Sequence, residues 1–220
     1  MAEEPLRLSA QLTDEKDGII WNASLVLLNH FRQKMPDAFR GKKILEFGSG
    51  LGHVARGLCE LGAHVTATDM PCNDLEACRR RADVFNAEKA GDETCGTMRI
   101  VELTWGQEHW KDSPLSKEDG KYDFIILAEV FSIPEVHTEL VWTLSRFMHS
   151  EAEVWSIYMN RPFSMMVFVE IADAGGFRVH QFDTEQVDLM GLDTSDIFCL
   201  MHKMTYDPAS PRLAAASVAM

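Results

Sequence analysis

The stretch that most constrains the fold runs from Lys42 to Gly52, KKILEFGSGLG in one letter. A short apolar run, Ile44-Leu45, leads to an acid, Glu46, and then to glycines at alternate positions, Gly48, Gly50 and Gly52. A helical pattern begins at once, with Leu51, Val54, Ala55, Leu58 and Leu61. This order predicts strand, tight glycine turn and helix. Glycine is needed where the backbone takes positive φ or comes close to a ligand. Such a turn also aims the free N–H groups of a helix N-terminus at whatever sits there.

Spacing and a second acid narrow the ligand. The dinucleotide fingerprint is G-x-G-x-x-G, and here its third glycine position is held by His53. The run reads E-x-G-x-G-x-G instead. Ala63 to Asp69 predicts a second strand that ends in Asp69. An acid at that point suits a ribose diol, whose two hydroxyls donate to one carboxylate. The plainer alternative is an ordinary β–α turn followed by a surface aspartate.

The 220 residues are enough for one domain with a full core. A formal charge of −13 disfavours phosphate backbones and anionic membranes, so nucleic acid is an unlikely partner class. No apolar run reaches the roughly 18 residues that span a bilayer. The acidic N-terminus has no apolar h-region, so no signal peptide is expected. Cys59, Cys72, Cys78, Cys95 and Cys199 are odd in number and include no C-x-x-C pair. That argues against a disulfide framework and a structural zinc. The expectation is a reduced, cytoplasmic protein, with the nucleus left open. The eight histidines show no ligand spacing, so no metal site is expected.

Along the chain, residues 1–16 read as a flexible arm, 17–204 as one domain and 205–220 as a disordered tail. A helix starts at about Asn22, and Trp21 before it either staples that helix or closes over a ligand. A long helix spans about Asn73 to Lys89, and its Arg79-Arg80-Arg81 run reads as a solvated face. A third strand, Met98 to Leu103, is followed by Trp105. That ring either packs on a base at the sheet edge or is buried under the polar loop 108–121. Tyr122 to Leu127 predicts a buried central strand ending in Ala128-Glu129. A carboxylate at the C-terminal end of a central strand is where chemistry is carried, unless it only caps a helix. Further elements are a helix over 136–148, a strand over 154–159, a helix that starts at Arg161-Pro162 with its body over 165–174, and strands over 177–182 and 197–203. The alternation implies an α/β, Rossmann-like fold. It has a seven-stranded, mainly parallel sheet, helices on both faces and the last strand antiparallel.

These pieces resemble the seven-β-strand (class I) methyltransferases that use S-adenosylmethionine. Within them the chain looks like the protein-lysine methyltransferase branch, whose members act on chaperones and elongation factors. The resemblance is carried by Ile20-Trp21-Asn22-Ala23, Gly41 to Gly50, Leu61 to Asp69, Leu103-Thr104-Trp105-Gly106-Gln107 and Tyr122 to Glu129. It implies a cofactor seat of Trp21, Glu46, Gly48, Ser49, Gly50, Gly52, Asp69, Met70, Trp105 and Ala128. It implies a protein substrate, a chaperone or a translation factor. Glu129 would then hold and orient the incoming amine, and Phe131 would form an aromatic wall beside it. The family motif D/E-x-x-Y/F is not complete: Ser132 stands where the aromatic belongs. Two rival readings follow, a small-molecule or nucleic-acid N-methyltransferase on the same fold, and a cofactor-binding protein without catalysis.

Overall fold

A computed structural model describes residues 11–14, 18–118, 122–159, 162–182, 186–190, 199–207 and 209. Most of the expected arm (1–10 and 15–16) and tail (208 and 210–220) lies outside the described residues. The described chain opens with an antiparallel pair, β1 (Gln11–Asp14) and β2 (Gly18–Trp21), with Gln11 opposite Trp21. Four-residue strands are too short for a periodicity signal, so the sequence reading has no strand there. Helix α1 (Asn22–Lys34) follows directly.

The glycine stretch folds as its pattern dictates, into β3 (Lys43–Phe47), the turn, α2 (His53–Glu60) and β4 (His64–Asp69). Then come α3 (Asn73–Glu88), β5 (Met98–Glu102), α4 (Gln107–Trp110) and β6 (Phe124–Ala128). The chain continues as α5 (His137–Ser145), β7 (Glu153–Met159), α6 (Pro162–Ala174), β8 (Phe177–Phe182) and β9 (Cys199–Tyr206). The loop expected over 108–121 holds α4 and a 3-10 turn at Pro114–Lys117. Strand β9 runs two residues past the expected domain end at 204.

The seven strands lie in the order β5-β4-β3-β6-β7-β9-β8. Neighbours from β5 to β7 are parallel, and β9 is antiparallel to both β7 and β8. The expected mainly parallel sheet with an antiparallel last strand is therefore the observed one. The winding reverses between β3 and β6, which pair directly with Glu46 opposite Ile126. In open α/β sheets the crevice for ligands opens at that reversal, beyond the strands' C-terminal ends.

Strand periodicity sorts the core into two layers. Ile44 joins Val26, Phe31, Val54 and Leu58 under α1 and α2. Leu45 and Phe47 join Leu140, Leu144 and Phe168 under α5 and α6. Each such buried side chain contributes about 1.5–3 kcal/mol of transfer free energy. Glu46 has the parity of Ile44, so an acid points into the α1–α2 layer just where the sheet ends.

Candidate active site

The turn after β3 is tied to β4 through main chain. Ser49 N–H donates to the Thr68 carbonyl at 2.8 Å, and Gly50 N–H donates to Asp69 Oδ2 at 2.8 Å. Thr68 Oγ1 donates back to the Glu46 carbonyl at 2.7 Å. Asp69 Oδ1 also accepts the Met70 N–H at 2.8 Å, so this carboxylate is fixed in place. Gly48 has φ +65°, and a Cβ there would lie 2.5 Å from Val130 Cγ1. Gly52 has φ +75°, and its Cβ would lie 2.6 Å from Cys78 Sγ. Both positions exclude a side chain on conformation and on space.

Around this turn a cleft of about 200 Å³ is lined by Trp21, Ser24, Glu46, Gly48, Ser49, Gly50, Leu51, His53, Val54, Asp69, Ala128 and Glu129. Eight of these are residues that the sequence singles out: Trp21, Glu46, Gly48, Ser49, Gly50, Asp69, Ala128 and Glu129. Trp21 takes extended backbone just before α1, and its half-buried side chain is part of the cleft lining. Ser24 is one helical turn further on the same face, and this i, i+3 relation is the signal that would have found it. Leu51, His53 and Val54 follow from the helix starting directly after Gly52.

Glu46 is 2% exposed, and its Oε2 has no hydrogen-bond partner. Burial pushes its carboxyl up to about 8; the Asp69 charge pushes the same way, and the Ala55 N–H partly offsets both. A buried carboxyl oxygen without a partner is costly, and a ligand ammonium or other donor would satisfy it. With Asp69 at the end of β4, the cleft presents two acidic side chains and a glycine turn. That donor set fits S-adenosylmethionine, which carries an amino group, a ribose diol and a sulfonium.

Glu129 stands opposite, at the end of β6. Its φ is +60°, one of two positive values among non-glycine described residues. Its N–H donates to the Ile157 carbonyl at 3.1 Å, and its Oε1 accepts the Met159 N–H at 2.9 Å. Main chain of β7 thus holds both the reversal and the carboxylate.

Four expected site residues do not line the cleft. Phe131, expected as an aromatic wall beside Glu129, is wholly buried, with its ring 4.4 Å from Phe168 and 5.6 Å from Tyr158 between centroids. It packs in the core layer under α5 and α6. Trp105 stacks on Phe47 at 6.3 Å and lines a separate cleft with Glu139 and Trp142. Met70 is 59% exposed and is not among the residues that line the cleft. Gly52 faces α3 through Cys78, and lines a neighbouring cleft instead. Among the described residues no group of three His, Cys, Asp or Glu side chains is placed to hold a metal, and no helix is long and apolar enough to cross a membrane.

Comparison with solved structures places the fold. The precorrin-6y C5,15-methyltransferase of Geobacter metallireducens superposes with a TM-score of 0.58 at 13% identity, over 89% of this chain and 94% of that one. The magnesium protoporphyrin IX methyltransferase of Synechocystis, solved with bound S-adenosylmethionine, gives a TM-score of 0.50 at 15% identity, over 84% and 78%. Among curated proteins, EEF1A lysine methyltransferase 3 of Xenopus tropicalis is 29% identical over 152 residues, 69% of this chain. Protein N-terminal and lysine N-methyltransferase EFM7 of Yarrowia lipolytica is 25% identical over 171 residues, 71% of this chain. Human histone-arginine methyltransferase METTL23 is 29% identical over 150 residues, 64% of this chain and 70% of that protein. The chain spans 62% of the length of each of the first two relatives. A family model described as lysine methyltransferase matches residues 1–174, a span that contains every residue of the cleft, and the chain belongs to that family.

Proposed function

We propose that this protein is an S-adenosylmethionine-dependent methyltransferase that methylates a lysine side chain of a protein substrate. The observation that carries the reading is the pairing, in one cleft, of the buried, unpartnered Glu46 oxygen with the Glu129 carboxylate across the reversal of the sheet. S-adenosylmethionine supplies the electrophilic methyl when bound. Glu46 and Asp69 would hold the charged and hydroxyl ends of that group, and Trp21 would shield it from water. A lysine ammonium must lose its proton before its lone pair is free, because its ordinary pKa is about 10.4. A narrow, partly dry approach lowers that value. Glu129 holds the incoming ammonium, accepts a hydrogen bond from the amine and aims the remaining lone pair inward. Its fixed hydrogen bond from Met159 keeps the carboxylate in register for this.

The relatives' names support a protein acceptor: EEF1A for one and a histone for another. The last of these, an arginine enzyme, supports only the wider reading of a protein nitrogen. A translation factor or chaperone remains the substrate class we propose, with the cytoplasm, and access to the nucleus, as its place. The five cysteines are all free thiols, in keeping with a reducing compartment.

The test uses labelled S-adenosylmethionine. The protein and Glu129→Ala are each incubated with a cell extract. Label in a protein band, recovered as methyl-lysine and lost with Glu129→Ala, is the expected result. Label confined to small molecules or nucleic acid would sink the protein-lysine reading.

A further inference from the structure

A second cleft, of about 550 Å³, adjoins the first and is walled by α2 and α3. We propose that it binds a small phosphorylated anion. Its lining includes Arg56, Arg80 and Arg81 against a single acid, Glu88, in a chain whose formal charge is −13. Two residues of the arginine run of α3 contribute to this lining, with Arg80 still exposed. Arg80 and Arg81 face one concavity, and Arg56 meets them from α2.

The individual charges show what is available. Arg79 is paired with Glu76 on its own helix. Arg56 reaches Glu60 at 3.3 Å, but Glu60 also accepts from Arg32 at 3.1 Å, so that acid is shared. The Arg56 guanidinium lies 5.8 Å from the centroid of Phe85, which orients its plane. Arg81 is within 3.1 Å of His53 Nε2. Arg80 is exposed and has no counter-ion among the described residues.

Arg80 lacks a counter-ion among the described residues, and an anion seated in the hollow would supply one. Guanidinium forks match phosphate oxygens bidentately, which selects phosphate over a point charge. Ala77, Phe85 and Met98 give the cleft an apolar floor, where an organic body attached to the phosphate would lie. The cleft shares Leu51 and His53 with the cofactor cleft, so the two ligands would sit side by side. Methyl transfer plays no part in this inference, and its test is independent of that activity.

The experiment is calorimetric titration of the full chain, saturated with S-adenosylmethionine so that its own seat is filled, with pyrophosphate and with ADP at low salt, repeated at higher salt. The expected result is one saturable site that weakens as salt rises. Arg80→Gln should weaken it about tenfold, the loss of one charge-assisted contact. Arg56→Gln with Arg80→Gln should abolish it, while S-adenosylmethionine affinity, measured on the same proteins before saturation, stays unchanged and shows that the fold is intact. Tighter binding of ADP than of pyrophosphate would assign the apolar floor to the organic body; equal binding would assign the site to the phosphate group alone. No saturable heat with either anion, or binding undiminished in the double variant, would overturn the proposal.

Discussion

Two chain reversals face each other across the cleft, one after β3 and one after β6. Both use left-handed backbone, φ +65° at Gly48 and φ +60° at Glu129, yet one residue has no side chain and the other has a long charged one. They pack together, since Val130, next to Glu129, occupies the space that a Cβ on residue 48 would need. The glycine adopts its conformation without steric penalty. The glutamate carries strain of about 1–3 kcal/mol, which persists because hydrogen bonds to Ile157 and Met159 over-determine it. The contrast teaches how the work is divided. The first reversal must be empty so that the cofactor can lie against backbone. The second must present a carboxylate at one point, and the fold tolerates strain there to do so.

The largest test of this division concerns Phe131, two residues past the second reversal. Phe131→Ala should lower stability by about 3–5 kcal/mol, as for a core aromatic. Phe131→Leu should keep S-adenosylmethionine binding, read by denaturation and calorimetry. A stable Phe131→Ala protein that had lost only transfer would return this ring to the cleft.

Next is the acid beneath the first reversal. Glu46 has an ordinary value of 4.5, raised to about 8 by burial. Between those values the folded chain keeps a proton that the unfolded chain has lost. Its contribution is therefore full below pH 4.5 and is lost as pH rises through 8, by at most about 1.4 kcal/mol per pH unit. Glu46→Gln should flatten that difference, measured as denaturation midpoints at acidic and at alkaline pH. A cationic ligand favours the ionised acid, so wild-type cofactor affinity should rise toward pH 8 and that of Glu46→Gln should not.

Gly48→Ala should cost about 1–3 kcal/mol, because Val130 is β-branched and cannot turn aside freely. It should also weaken S-adenosylmethionine binding, since the turn would shift. The smallest effect sharpens the comparison most. At position 129 glycine should be more stable than alanine by about 1 kcal/mol, the reverse of the helix order, because φ is positive there. Equal stability of the two variants would mean the strain is not real.

These residues also mark how far sequence reading reaches. The first reversal was legible because its signals are local: alternating glycines, the strand before them, the helix after and an acid at the end of the next strand. Glu129 was legible as a position but not as a conformation, since no glycine announces its positive φ. The packing of Phe131 and Trp105 is not legible, for a common reason. The direction of a side chain just past a strand end is set by tertiary packing, here against Phe168 and Phe47. The short β1–β2 pair gave no period to read. The strand order was largely legible, because alternation and right-handed crossovers leave few choices.

The most direct measurement is the dissociation constant of S-adenosylmethionine for Glu129→Ala, set beside the wild-type value. If the first reversal seats the cofactor and the second serves the acceptor, the two constants should agree closely while methyl transfer by the variant is lost. Loss of cofactor binding together with transfer, in a variant that remains folded, would place Glu129 in the cofactor seat and contradict the division.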